Sequence, residues 1–255
     1  MNLAATGLRV LVTAGAAGIG RVIAQTLVDN GARVHVCDVD ERALASLPEK
    51  ITRSRADVAK LTDVNRLFED VERHLGGLDV LVNNAGIAGP TAKVEDIKPE
   101  DWDRCIAIDL NGMFYCTRKA MPLIKASGGG SIINLSSAAG LHGFPQRSPY
   151  CAAKWGVVGF TKSLSVEAGP DKVRVNCICP GIVEGERIDR VVDAKAKSLG
   201  VSREAFLEKF LETTSMRSTV SAQDIANMAL FLASNEGRHI TGQALAVDAG
   251  VRYLV

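Results

Sequence analysis

The 255-residue chain reads as an α/β protein built on a doubly wound parallel sheet, and three observations lead there. Short apolar runs alternate with segments of helical periodicity along most of its length. The first of those runs, Leu8 to Thr13, suits a parallel strand buried on both faces. A glycine-rich turn, Thr13-Ala-Gly15-Ala-Ala-Gly18-Ile-Gly20, joins the first apolar run to the first helical segment.

Leu8 to Thr13 is the first strand, and Ile19, Val22, Ile23 and Leu27 then fall at helical spacing, with Gly31 placed to stop that helix. Ala32 to Cys37 is the second strand, and the more polar Ile51 to Ala56 the third. Val64, Leu67, Phe68, Val71 and Leu75 mark an amphipathic helix closed by Gly76-Gly77, before a fourth strand at Leu78 to Val82. Pro99 fits the first turn of one long helix carrying Trp102 through Ile124. Ser131 to Leu135 is the fifth strand, Ala152 to Val166 a helix, and Val173 to Cys179 the sixth strand, halted by Pro180-Gly181. Two polar helices between Arg187 and Glu212, a helix at Ile225 to Ala233 and a last strand at Ala244 to Val247 complete the chain. The expectation is a single domain over residues 1–255, with about seven parallel strands and helices on both faces. A charge-rich helical cap is expected at about 184–218.

Composition narrows the function. A net charge of +1 gives no reason to expect nucleic acid or a membrane surface as partner. No basic segment leads into an apolar stretch at the start, and no apolar run reaches the ~18 residues of a membrane span. The six cysteines (Cys37, Cys105, Cys116, Cys151, Cys177, Cys179) are scattered through apolar patterns, which suits buried thiols in a reducing compartment and predicts a cytoplasmic protein. Neither Cys177-x-Cys179 nor the four histidines show zinc spacing, so no metal is expected.

The glycine turn lies where dinucleotides bind: glycines admit a pyrophosphate to the backbone, and the helix N-terminus favours its charge. Asp38 ends the second strand, where a carboxylate takes both ribose hydroxyls and repels a 2′-phosphate. Asp40 competes for that role from two residues on, and Arg42 is the nearest cation after Asp38. No Arg or Lys stands among Gly15 to Gly20, so NAD is the expected cofactor. Tyr150 and Lys154 share one helix face at i,i+4 spacing. By itself such a pair is an ordinary surface feature. An ammonium ~4 Å from a phenol, at an effective dielectric of ~20, favours the phenolate by roughly 4 kcal/mol, enough to make a general base. Ser137 offers a neutral hydroxyl to a substrate oxygen.

Together these residues resemble the classical short-chain dehydrogenase/reductase superfamily over essentially the whole chain. The resemblance implies a Rossmann-like fold and hydride transfer between NAD(H) and a secondary alcohol or its ketone or aldehyde. It identifies Gly15, Gly18, Ile19 and Gly20 with the cofactor turn, although Ala14 stands where the family usually has Gly. Asp57-Val58 resembles its adenine-contact pair, and Asn83-Asn84-Ala85-Gly86 its Asn-Asn-Ala-Gly motif. Asn111 is similar to its helix asparagine, and Ser137, Tyr150 and Lys154 to its serine, tyrosine and lysine, with Ser137 preferred to Ser136 on spacing. Pro180-Gly181 resembles the motif that carries the nicotinamide over Ile182 and Val183, but Gly185 replaces the threonine common after it. Thr241-Gly242-Gln243 and Val247-Asp248-Ala-Gly250 resemble the closing strand. The implied mechanism uses Tyr150 as base, Lys154 on the base and the nicotinamide ribose, and Asn111 on a water that returns the proton to solvent.

The substrate expected is a polar or anionic alcohol, such as a sugar, polyol or hydroxy acid. Bulky apolar residues are few between Glu184 and Arg217, and His142, Gln146 and Arg147 precede Tyr150. Arg147, Arg187 and Arg217 are candidate carboxylate partners. An NADPH-dependent 3-oxoacyl-type ketoreductase is the alternative, disfavoured by the missing basic residue in the glycine turn. A non-catalytic binding or structural member is disfavoured by the intact Ser137, Tyr150 and Lys154. The helices at Trp102 to Ile124 and Ala152 to Val166 are apolar on more than one face, which predicts a homotetramer with 222 symmetry.

Overall fold

The computed structural model describes residues 4–255, the side chain of Arg187 excepted. Its centre is β1 (Arg9–Thr13), paired in parallel with β2 (Arg33–Asp38) on one side and β4 (Val80–Asn83) on the other. β3 (Thr52–Arg55) lies outside β2, while β5 (Gly130–Leu135), β6 (Val173–Pro180) and β7 (Ala244–Val247) extend the sheet beyond β4. The order is β3-β2-β1-β4-β5-β6-β7, all parallel. The chain therefore winds outward from β1 in one direction and then in the other. The reversal between β1 and β4 opens a crevice at their carboxyl ends.

Side-chain alternation divides the core. Val10 and Val12 face α1 (Gly18–Asp29) and α9 (Ala222–Ala233), packing with Ile23, Leu27 and Ala229. Leu11 faces the opposite layer, with Leu67 and Val71 of α3 (Leu61–Leu75) and Ile124. Both faces are covered, which explains the apolar centres of β1 (Val10 to Val12) and β4 (Val80 to Val82). β3 is polar because it is an edge strand with a second task. Its Thr52 and Ser54 hydroxyls lie 2.8 and 3.0 Å from the ring nitrogens of buried His35 on β2. Burial, then the nearby His74, pushes His35 down to about 4, so the ring is neutral.

One expectation changes. The helix read as continuous from Trp102 to Ile124 is α4 (Pro99–Ile106) and α5 (Gly112–Ala126), joined by a π-helical turn over Ala107–Asn111. A π turn inserts extra chain and rotates the residues after it out of the α register, which periodicity counting does not detect. The charge-rich stretch after β6 packs on the end of the sheet. Its α7 (Glu186–Leu199) and α8 (Arg203–Glu212) bury Val192, Ala196, Phe206 and Phe210 against Ala138, Ala139 and Ile182 at the carboxyl ends of β5 and β6. No helix among the described residues is long and apolar enough to cross a membrane.

Candidate active site

The cleft at the carboxyl end of the sheet has a volume of about 720 Å³ and runs from the glycine turn to the cap helices. At its centre α6 (Ser148–Ala168) begins with Pro149 in its first turn and brings Tyr150 and Lys154 to the wall. Lys154 Nζ donates to Leu135 O at 3.0 Å and lies 5.5 Å from the Tyr150 ring centroid. The lysine is thus pinned at the end of β5, the strand that also delivers the serines. Buried Ser136 spends its hydroxyl on Lys154 O at 2.9 Å. Ser137, half-buried on the cleft wall, accepts from Ala139 N at 3.1 Å, leaving its proton for an incoming oxygen.

The helix asparagine is a correction. Asn111 is exposed and does not line the cleft. Asp109, two residues earlier in the π turn, is buried instead, with Oδ1 3.2 Å from Lys154 Nζ. Residues two apart on a helix point to nearly opposite sides, so only one of them faces the site. Lys154 therefore has a carboxylate against it. The sequence signal was an acid amid apolar Ile106, Ile108 and Leu110.

At the other end, α1 starts without a capping side chain on Ala17, so its first-turn N–H groups are offered to the cleft. Gly18 has open space where a Cβ would stand, whereas Gly15 and Gly20 are glycines for packing, against Val36 and Ala14 O. Ala14 itself has φ +48°, the conformation glycine adopts without strain. Asn84 donates to Thr13 O and Ala14 O, both at 3.0 Å, and the Thr13 hydroxyl takes the N–H groups of Asn84 and Ala85, clamping β4 to the turn. Asp38 lines the cleft with Oδ2 3.2 Å from Ala16 N, while Asp40 is used up as the cap of α2 (Glu41–Ala45). Arg42 is exposed on that helix. Arg21, one residue past the glycines, also reaches the rim, its guanidinium bonded to Ser46.

Other expected residues distribute unevenly. Ile19, Gly86, Pro180, Gly181 and Val183 line the cleft. Asp57 and Val58 do not: Asp57 accepts from Ala59 N in its own turn, and Val58 packs where Gly112 leaves room. Gly185 opens α7 at φ +128°, so a threonine there would be strained. Of the three arginines, Arg217 is exposed and off the cleft, and Arg187 lies outside the described side chains. Arg147 is on the wall and 2% exposed. Its Cζ stands 5.3 Å from the Tyr150 centroid and 5.4 Å from that of Phe144, and Nη2 donates to Ala88 O at 2.5 Å. Lys195 of α7 also packs on Phe144, at 4.7 Å, donating to Pro145 O at 2.7 Å. Burial, then the Arg147 charge, brings Lys195 down to about 8. Phe144, Phe210 and Leu254 complete this end, none of them singled out by sequence motifs.

A family model described as enoyl-(acyl carrier protein) reductase matches residues 14–252. The chain belongs to the classical short-chain dehydrogenase/reductase superfamily. Similar members include a D-beta-hydroxybutyrate dehydrogenase of Rhizobium meliloti (strain 1021), 33% identical over 94% of this chain and 96% of that one. A trans-4-hydroxycyclohexanecarboxylate dehydrogenase of Sinomonas cyclohexanicum is 39% identical over 94% and 91%. The crystal structure of a carveol dehydrogenase from Mycobacterium avium in complex with NAD superimposes with a TM-score of 0.90 at 29% identity, over 96% of this chain and 97% of that one. As a short-chain dehydrogenase/reductase, this protein is a nicotinamide-dependent oxidoreductase acting on CH–OH groups. Its uncapped α1, the open space at Gly18 and the carboxylate of Asp38 fit such a cofactor.

Proposed function

We propose that this short-chain dehydrogenase/reductase is an NAD-preferring dehydrogenase of a hydroxy acid, a soluble cytoplasmic homotetramer. The observation that carries the substrate class is the buried cation on the cleft wall, Arg147, stacked beside Tyr150, with Lys195 packed on the same phenylalanine. A carboxylate entering there offsets charge already held out of water, and a guanidinium binds it with two parallel hydrogen bonds. Two similar dehydrogenases, by their names, act on hydroxy acids.

Ser137 donates to the substrate hydroxyl oxygen, and Tyr150 takes its proton. Lys154, pinned by Leu135 O and Asp109, holds the charge near Tyr150. A nicotinamide cofactor held along the glycine turn by the first turn of α1 and Asp38 would supply the hydride acceptor for the carbinol carbon. Ile182 and Val183 line the cleft and keep water from that carbon. Asp38 supports NAD: against a 2′-phosphate at ~5 Å and an effective dielectric of ~20, it repels by roughly 3 kcal/mol. The ketoreductase reading keeps one supporting observation, Arg21 at the same rim. The tetramer rests on exposed apolar side chains of the central helices, including Phe114, Trp155 and Val166. Light scattering that gives a stable monomer at micromolar concentration rejects it.

The deciding experiment compares oxidation of hydroxy acids with that of their neutral esters, in wild type and Arg147→Gln. Hydrogen bonds to charged groups are worth about 1.5–3 kcal/mol, so the substitution raises KM for the acid by roughly ten- to a hundredfold. The ester's KM moves little. A wild type that oxidises ester and acid equally well rejects the anionic substrate.

A further inference from the structure

Lys195 is a buried charge that the proposed proton and hydride steps leave without a task. On α7 the residues Val191, Val192, Lys195 and Ala196 are buried, while Asp193, Ala194 and Lys197 are exposed. The lysine thus occupies a core position of the cap helix, where an apolar side chain would satisfy the pattern, and it is 1% exposed. From there its ammonium crosses to the loop before α6, donating to Pro145 O at 2.7 Å and standing 4.7 Å from the centroid of the Phe144 ring. Arg147 Cζ stands 5.4 Å from the same ring, which lines the cleft. The next residue after Pro145, Gln146, donates from Nε2 to Ser198 Oγ of α7 at 3.0 Å, so two successive residues of the loop are tied to the cap helix. The acids of α7 are directed elsewhere: Glu186 lies against Arg190, and Asp189 and Asp193 against Arg203 of α8. Among the described residues no carboxylate is paired with Lys195.

We propose that Lys195 is a positioning residue that sets the preference for an acid: from the cap it holds the Phe144–Pro145 segment beside Arg147 and adds its own positive charge to the field that draws a carboxylate to that wall. The proposal rests on the reading of the substrate as a hydroxy acid. A cation kept out of water without a counter-ion is costly, and an entering carboxylate supplies one. The groups that face Lys195 come from three segments. The loop before α6 brings Arg147, and α6 brings Cys151, whose thiol burial pushes up and keeps neutral. α8, packed on the same face of α7, brings the rings of Phe206 and Phe210, its charged side chains being exposed. Burial, then the Arg147 charge, brings Lys195 down to about 8, so its charge is present below that pH and lost above it. By linkage, an anion that moves this equilibrium on the order of tenfold toward the ammonium is bound on the order of tenfold tighter while the lysine is charged. The acid's KM therefore rises as pH passes through about 8, and a neutral ester's does not.

The test is KM against pH for the hydroxy acid that wild type oxidises best and for its methyl ester, in wild type, Lys195→Met and Lys195→Arg, with fold from circular dichroism. The ester cancels groups such as Tyr150 that act on both substrates alike. The expected result for wild type is an acid KM that rises by about tenfold through the region near pH 8, with the ester's nearly level. Lys195→Met should hold the raised acid KM at every pH, because methionine fills the space and never carries charge. Lys195→Arg should hold the low KM without the step, because a guanidinium stays charged. A wild-type acid KM that stays level through this range overturns the proposal, and that measurement needs no variant to fold. So does a step that persists in Lys195→Met. A methionine variant that loses acid and ester alike assigns Lys195 to packing alone and also overturns it. Failure of the hydroxy-acid reading shows separately, as a wild type that oxidises acid and ester equally well.

Discussion

The two ends of the cleft are built from different materials. The cofactor end is mostly backbone: the first turn of α1, the glycine loop, and the Thr13–Asn84 clamp that fixes their spacing. Apart from Asp38, its recognition groups are N–H donors whose position follows from local chain geometry. The substrate end is mostly long side chains contributed by separated segments. Arg147 precedes α6, Phe144 lies in the loop before it, Phe210 comes from a cap helix, and Leu254 comes from the end of the chain. The contrast teaches that, on the proposed reading, the cofactor is held by local rules and the substrate by packing across distant elements. One end is consequently readable as a motif, and the other only as an assembly.

The sharpest way to break the comparison is at the junction of the two ends. Tyr150→Phe removes one oxygen and should lower kcat by about 10²–10⁴, the range of acid–base catalysis, while NAD still binds. A variant that keeps more than about a tenth of the wild-type rate shows that proton transfer is done elsewhere.

At the cofactor end, Asp38→Ser should erode the preference for NAD, which a repulsion of roughly 3 kcal/mol sets at about a hundredfold. The gain should fall chiefly on NADP affinity. Measuring kcat/KM for both cofactors with one substrate reads it directly. A wild type that uses NADP as well as NAD would point to Arg21, whose guanidinium shares the rim, as the stronger determinant.

The smallest effect expected is at Ala14, held at φ +48° where a Cβ is strained. Ala14→Gly should raise stability by up to about 1 kcal/mol, less what the freer unfolded chain takes back. Denaturant titration checks the sign. A destabilised variant would mean that the alanine methyl packs usefully enough to outweigh its strain.

Much of this molecule was legible before its structure. Strand boundaries followed from short, mostly apolar runs bounded by turn residues, because strands buried on both faces favour them; β1 to β7 fall within a residue or two of where the sequence put them. The glycine turn and the Tyr150–Lys154 pair were legible because strand-to-helix turns and i,i+4 spacing are local geometry. Asp109 and Asn111 mark the limit. A one-turn change from α to π pitch decides which of two neighbouring polar residues faces Lys154, and no residue type announces that change. Likewise, three arginines were equivalent candidates in the sequence, and burial separates Arg147 from Arg217 only after α4, α6 and the cap have closed around it. What the sequence determined by itself was every feature carried by neighbouring residues: the alternation of elements, the glycine turn, and Tyr150 with Lys154 on one helix face. What the tertiary structure alone decided was which charges are held together out of water, because pairing buried charges is a property of space between elements far apart in the chain.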